Sequence, residues 1–187
     1  MDNTAMISTP RAVLLTAGYV IAGLVASTAV GYLGNPVEFF HSLDAALPFL
    51  VLGLMGALIY ASVQMGRAWY AVLVIVLWCL VRSALTGDLF GFRGPAAYAV
   101  PIGLAFMVGT YAQKSLTRLK FGRFIGMALI VGFGHALYML AIILVGSVTT
   151  PIHTVLEQTF LGLKLGAATG LGFELVDLLW PRLEEEE

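Results

Sequence analysis

The sequence contains few charged residues. Lys, Arg, Asp and Glu together make up 11% of its 187 residues, whereas hydrophobic residues make up 59% and the mean hydropathy is +0.92. Soluble domains carry about 25% charged residues, so this composition predicts an integral membrane protein. The net charge of −1 offers no accumulated basic surface for phosphate groups, and we therefore expect no nucleic-acid partner.

Cysteine and catalytic motifs are also scarce. Cys79 is the single cysteine and lies in an apolar run, which excludes an internal disulfide and a cysteine-based metal site. The sequence has no HExxH, GxSxG or phosphate-binding P-loop pattern. Of eleven acidic residues, four close the chain, which leaves few groups for acid–base chemistry. These features predict a non-enzymatic binding or scaffolding protein without a cofactor or metal.

Long apolar runs are abundant. Six of them, close to the roughly 20 residues that a spanning helix needs, lie at residues 11–33, 47–65, 69–84, 95–111, 121–146 and 156–180. We therefore predict an all-α integral membrane domain of six transmembrane helices over residues 11–181, an arm over 1–10 and an acidic tail over 182–187. The first run exceeds the apolar core of a signal peptide, so we expect it to be retained. Pro181 is expected to end the last helix.

Basic residues predict the orientation of these helices. One loop between the fourth and fifth runs carries Lys114, Arg118, Lys120 and Arg123, and Lys and Arg concentrate in cytoplasmic loops. With this loop inside, both termini are cytoplasmic and the turn that holds Asp88 and Arg93 is external. Arg11, Arg67 and Arg182 then join the cytoplasmic group.

Small residues recur every four positions in two of the predicted helices. Gly18, Ala22 and Ala26 form one stripe in the first helix, and Gly162, Gly166 and Gly170 form another in the sixth. Such stripes allow close approach of a second helix. They predict faces that pack against the chain's own helices or dock a partner membrane protein.

Ionisable residues at membrane depth are costly and are therefore candidates for function. Lys164 and Glu157 lie on one face of the sixth helix, since seven residues are about two turns. We expect a snorkelling lysine with a loose ion pair to Glu157. The alternative is an anion anchor in an external cavity, formed together with Arg82.

His135 falls near the middle of the fifth run. We expect a neutral histidine that is hydrogen-bonded to a neighbouring helix rather than a haem ligand, which would need an opposed ligand or a pocket. Glu174 and Asp177 fall near the predicted cytoplasmic end of the sixth run. They are expected to lie at the interface or to pair with the basic loop.

Several sequence patterns resemble the rod-shape protein MreD family. They are LPFLVLGLMGAL with Pro48, MGRAWYA, GDLFGFRGPAAYAVPIGLAFMVGTYAQKSL, GHALYMLAIILV and the final LLWPRL. That family belongs to the same broad superfamily as the S-components of energy-coupling-factor vitamin transporters. Gly94, Pro95 and Tyr98 are similar to the turn of a biotin-type S-component. The resemblance covers most of the chain from residue 45 onward.

The MreD resemblance implies a scaffold of the cell-shape and cell-wall elongation machinery in the bacterial inner membrane. Its partners would be membrane lipids, MreC and the peptidoglycan synthases, with the small-residue stripes as docking faces. The S-component resemblance implies instead that the stripe of the first helix docks a shared transmembrane subunit. The turn with Arg82, Asp88 and Arg93 would then close over a vitamin-like molecule. An external cavity between the helices, lined by aromatic and a few polar side chains and of about 300 Å³ or more, favours the transporter, and a packed interior favours the scaffold.

Overall fold

The computed structural model describes residues 9–34, 43–86, 95–116, 122–146 and 151–184. These ranges contain six α-helices and no strand, which confirms the all-α prediction. In chain order the helices are α1 (Thr9–Gly34), α2 (Leu43–Gln64), α3 (Ala68–Thr86), α4 (Pro95–Leu116), α5 (Gly122–Gly146) and α6 (Ile152–Glu184). Each overlaps one predicted apolar run, because an apolar segment that folds as a helix satisfies its backbone hydrogen bonds within itself, and α4 continues through Pro101.

The sixth helix is longer than its apolar run. It begins at Ile152, within the predicted external loop, and continues through Pro181 to Glu184. The predicted stop at Pro181 is therefore wrong. The fixed φ of proline, about −65°, fits a helix. Its missing N–H removes the hydrogen bond to the carbonyl of residue 177, and the helix still continues for three more residues.

Within the described ranges, two helices are long and apolar enough to cross a membrane, namely Pro10–Gly34 and Ile152–Leu179. The apolar segments of the other four are shorter: Phe49–Gln64, Ala68–Val81, Val100–Ala112 and Phe124–Leu137. The length and composition of α1 and α6 thus support the prediction of a membrane protein.

Five of the helices form a closed ring. Its order is α1, α2, α4, α5, α6 and back to α1, and the α5–α6 contact is the most extensive. In the described ranges α3 packs only on α2 and α4, outside the ring. The first and last helices, which include both membrane-span candidates, therefore lie side by side.

The core centres on α2. Met55, Ile59, Tyr60 and Val63 of this helix are buried, because α2 contacts α1, α3, α4 and α6. A short turn joins α2 to α3, in agreement with the gap of three residues between the second and third apolar runs. In it Gly66 has a φ of 70°, a left-handed conformation that glycine adopts without a steric cost.

Candidate functional site

The glycine stripe of α6 forms the contact with α5. A Cβ atom added to Gly166 would lie 2.5 Å from the carbonyl oxygen of Met127, and one added to Gly162 would lie 2.8 Å from Nδ1 of His135. At Gly170 the added atom would lie 3.1 Å from Cβ of Met127. The close approach that the stripe predicts is therefore made within the chain. A partner helix could dock on these glycines only if α5 and α6 separated.

The stripe of α1 is also used inside the bundle. A Cβ atom at Gly18 would lie 3.1 Å from Cγ1 of Val176 in α6, and one at Gly172 of α6 would lie 3.3 Å from Cβ of Ala22. Ala26 is half-buried. The structure thus gives Gly18 and Ala22 an intrachain packing role, which is one of the two roles predicted for this stripe.

A central seam lies where the five helices of the ring meet. Its lining residues are Ser27 of α1, Leu52 and Gly53 of α2, Phe106 of α4, Val131 and His135 of α5, and Leu165 and Thr169 of α6. The seam has no room for a water molecule. Ser27, His135 and Thr169 are nonetheless buried at 0%, 1% and 1% exposure, so three polar side chains line an otherwise apolar seam.

The polar side chains of the seam bond to their own helices. Ser27 Oγ donates to the carbonyl of Leu24 at 3.2 Å, and Thr169 Oγ1 donates to that of Leu165 at 2.7 Å. Each buried hydroxyl thus has a hydrogen-bond acceptor in its own helix and needs none from a neighbouring helix. The central seam is therefore a close-packed contact rather than a ligand pocket.

His135 also makes a hydrogen bond within its own helix. Its Nδ1 lies 3.1 Å from the carbonyl oxygen of Val131, one turn earlier in α5, and since a carbonyl can only accept, Nδ1 carries the proton in this bond. We predicted a bond to a neighbouring helix, but the bond at Nδ1 stays within α5. The glycine at position 162 leaves the space in which the imidazole contacts α6.

A second polar cluster joins three helices, and sequence reasoning did not find it. The hydroxyls of Tyr19 in α1 and Tyr60 in α2 both donate to the carboxylate of Asp177 in α6, the Tyr60 bond at 2.9 Å. Tyr19 is 4% exposed and Tyr60 is fully buried. We call Tyr19, Tyr60, Phe173 and Asp177 the tyrosine–aspartate cluster.

Aromatic packing completes this cluster. The ring of Tyr60 stacks on Phe173 with centroids 4.5 Å apart, and Tyr19 meets Tyr60 edge-on at 4.9 Å. The sequence placed Asp177 at the interface or against the basic loop, and the structure adds its two tyrosine donors. One feature of the sequence could have indicated this cluster. All three polar residues lie within about two turns of the predicted cytoplasmic helix ends, and therefore at a similar depth in the membrane. The cluster fastens α1 and α2 to the last turns of α6.

Glu157 and Lys164 are both exposed on α6, opposite the buried glycine stripe. The prediction that they share a face is confirmed. No ion pair joins them in the described part of the chain, so the predicted loose pair does not form. The anion anchor formed by Lys164 and Arg82 stays a prediction, because the structure does not describe the side chain of Arg82.

The remaining predicted residues belong to the basic loop and to the turn between the third and fourth helices. Lys114 is in α4 and Arg123 is in α5, so the basic loop is shorter than predicted. Arg118, Lys120, Asp88 and Arg93 lie outside the described residues. Among the residues that are described, no group of three or more His, Cys, Asp or Glu side chains could hold a metal ion.

Comparison of the chain with protein-family models, with curated proteins and with solved structures gives no match in any of the three.

Proposed function

We propose that the chain crosses the bacterial inner membrane six times, with both termini in the cytoplasm, and acts as a non-enzymatic scaffold of the MreD type. In this role it docks other integral membrane proteins of the cell-wall elongation machinery. The single observation that carries the proposal is the central seam, which has no room even for a water molecule. A cleft of about 320 Å³ lies instead among α1, α2 and α3 beside Arg67. By the predicted topology this is the cytoplasmic end of α2 and α3, and not the external side from which an S-component takes its ligand.

Helix length supports the six crossings. The shortest helix, α3, has 19 residues and is therefore about 28 Å long at ~1.5 Å per residue. The hydrocarbon core of a bilayer is about 30 Å thick. The other helices have 22 residues or more, so each is long enough to cross.

The outer surface supports a scaffold in a membrane. The outward face of α3 is a continuous apolar surface that includes Val72, Val76 and Leu80, which are 49%, 45% and 50% exposed. Val13, Ile21 and Val25 of α1 are 62%, 63% and 64% exposed. Exposed apolar surfaces of this extent fit contact with lipid tails or with the helices of partner proteins.

In-cell crosslinking tests the proposal. A photoreactive amino acid placed at Val76 or Ile21, both exposed, is expected to capture MreC-type or peptidoglycan-synthase proteins in the native host. The same group placed at buried Ile59 is the matched control and should capture none of them. Capture of the transmembrane subunit of an energy-coupling-factor transporter would contradict the scaffold and support the alternative.

A thermal-shift screen of vitamins gives a second readout for the S-component alternative. A ligand at one hundred times its dissociation constant stabilises a folded protein by about 2.7 kcal/mol, which in a chain of this size raises the midpoint by about 5 °C or more. The scaffold predicts no such shift with any vitamin tested.

A further inference from the structure

The outward face of α6 is apolar except for a few polar groups. Phe160, Leu171 and Leu175 of this face are 59%, 45% and 51% exposed. Lys164 is exposed between them, on the side of α6 opposite the contact with α5. An exposed cation therefore lies within an apolar helix face.

Lys164 lies near the middle of a membrane-span candidate. It follows Ile152 by twelve residues and precedes Leu179 by fifteen, which are about 18 and 22 Å along the helix axis. The four-carbon stem of lysine reaches over about one helical turn. If a core of about 30 Å is centred on this candidate, its two boundaries lie about 13 and 17 Å from Lys164 along the axis, and the ammonium group does not reach either headgroup layer.

The chain supplies no carboxylate to this cation within the described ranges. Glu157 lies two turns earlier, and no ion pair joins it to Lys164. Asp177 binds the tyrosines on the inner side of the helix. Because an ionisable group at membrane depth is costly unless it is paired, the exposed position of Lys164 calls for a partner that the described part of the chain does not supply.

We propose that the outward face of α6 around Lys164 docks a transmembrane helix of another protein that carries a carboxyl group near its middle. This inference rests on the proposed scaffold function and names the partner's chemistry. Ala167 and Ala168 are half-buried about one turn beyond Lys164, and their small side chains let a partner backbone come close. The carboxyl group then meets the ammonium group away from water.

A second copy of the same chain fits this surface poorly. Parallel pairing of two α6 helices would set Lys164 against Lys164, and Glu157 would lie about 10 Å away along the axis. Like charges at close range repel each other. The charge pattern therefore favours a different chain as the partner.

Binding of designed peptides tests the proposal. The full chain is reconstituted in phosphatidylcholine vesicles, and energy transfer is measured from its three tryptophans to a dansyl-labelled, leucine-rich transmembrane peptide. One peptide carries a single central Asp, and the matched peptide carries Leu at that position. The Asp peptide is expected to bind about tenfold more tightly.

Variants of α6 locate the effect. Lys164→Leu should abolish the preference for the Asp peptide, Lys164→Arg should keep it, and Glu157→Gln, a control on the same face, should keep it as well. Lys164→Glu should prefer a peptide with a central Lys. Equal binding of the Asp and Leu peptides, or an Asp preference that persists in Lys164→Leu, would overturn the proposal.

The peptide assay and the crosslinking in cells are independent. If elongation proteins are captured but the Asp preference is absent, the docking site is wrong and the scaffold stands. If the Asp preference is found but no elongation protein is captured, the scaffold is wrong and the site on α6 stands.

Discussion

Replacing Gly166 with alanine is expected to lower the free energy of unfolding by about 1–3 kcal/mol, the usual cost of an overpacked contact. The added Cβ atom would lie 2.5 Å from the carbonyl oxygen of Met127 and 2.8 Å from Cα of Ala128. Both are backbone atoms, so neither can turn away as a flexible side chain would. Gly166→Val adds two further methyl groups to the same contact and should cost more. The measurement is the thermal midpoint in detergent, which falls by about 2–4 °C per kcal/mol in a chain of this size.

Gly34→Ala is the matched control for this substitution. An added Cβ atom at Gly34 meets nothing within 4 Å, so the change brings only the better helix propensity of alanine, worth up to about 1 kcal/mol. Gly34→Ala should therefore equal or exceed the parent in stability. A Gly166→Ala variant as stable as Gly34→Ala would show that α5 and α6 are not packed through this glycine.

Asp177→Ala is expected to destabilise the bundle through the two tyrosines. The change leaves the hydroxyls of Tyr19 and Tyr60 without the carboxylate to which they donate, and each buried donor that loses its acceptor costs about 1–3 kcal/mol. The fall in thermal midpoint should be among the largest for any single substitution. Equilibrium unfolding in detergent measures it.

Two comparisons separate this effect from a general loss of charge. Glu174→Ala removes a half-buried carboxylate one turn earlier in α6 and should change stability by no more than about 0.5 kcal/mol. The triple variant Tyr19→Phe, Tyr60→Phe and Asp177→Leu removes donors and acceptor together, which is close to neutral when shape is kept. It should recover much of the stability lost in Asp177→Ala. Equal losses in Asp177→Ala and Glu174→Ala would contradict the role given to the tyrosine–aspartate cluster.

The helices could be predicted from the sequence because each depends on local information. A long apolar run folds as a helix wherever it lies, and the spacing of Gly162, Gly166 and Gly170 places them on one face whatever they contact. The identity of the contacted helix is not local. It depends on how the ring closes, so the sequence leaves open whether the stripe packs within the chain or docks a partner, and the structure packs it against Met127 and Ala128.

The tyrosine–aspartate cluster could not be predicted either, because its contacts are not local in the sequence. Tyr19 and Asp177 are 158 residues apart in the chain, and no repeat or motif links them. Tyr19 and Asp177 come into contact because α1 and α6 are neighbours in the ring. The bond at Nδ1 of His135 is the reverse case, because it joins residues one turn apart and could have been predicted from helix geometry alone.

Thiol labelling across the membrane tests the six crossings most directly. Cys79 is the only cysteine, so a Cys79→Ala background can carry a single new cysteine, either Asp88→Cys or Lys120→Cys. With a membrane-impermeant maleimide on intact cells, Asp88→Cys should react and Lys120→Cys should react only after the cells are permeabilised. Labelling of both positions from the same side of the membrane would contradict the six-span topology and the scaffold built on it.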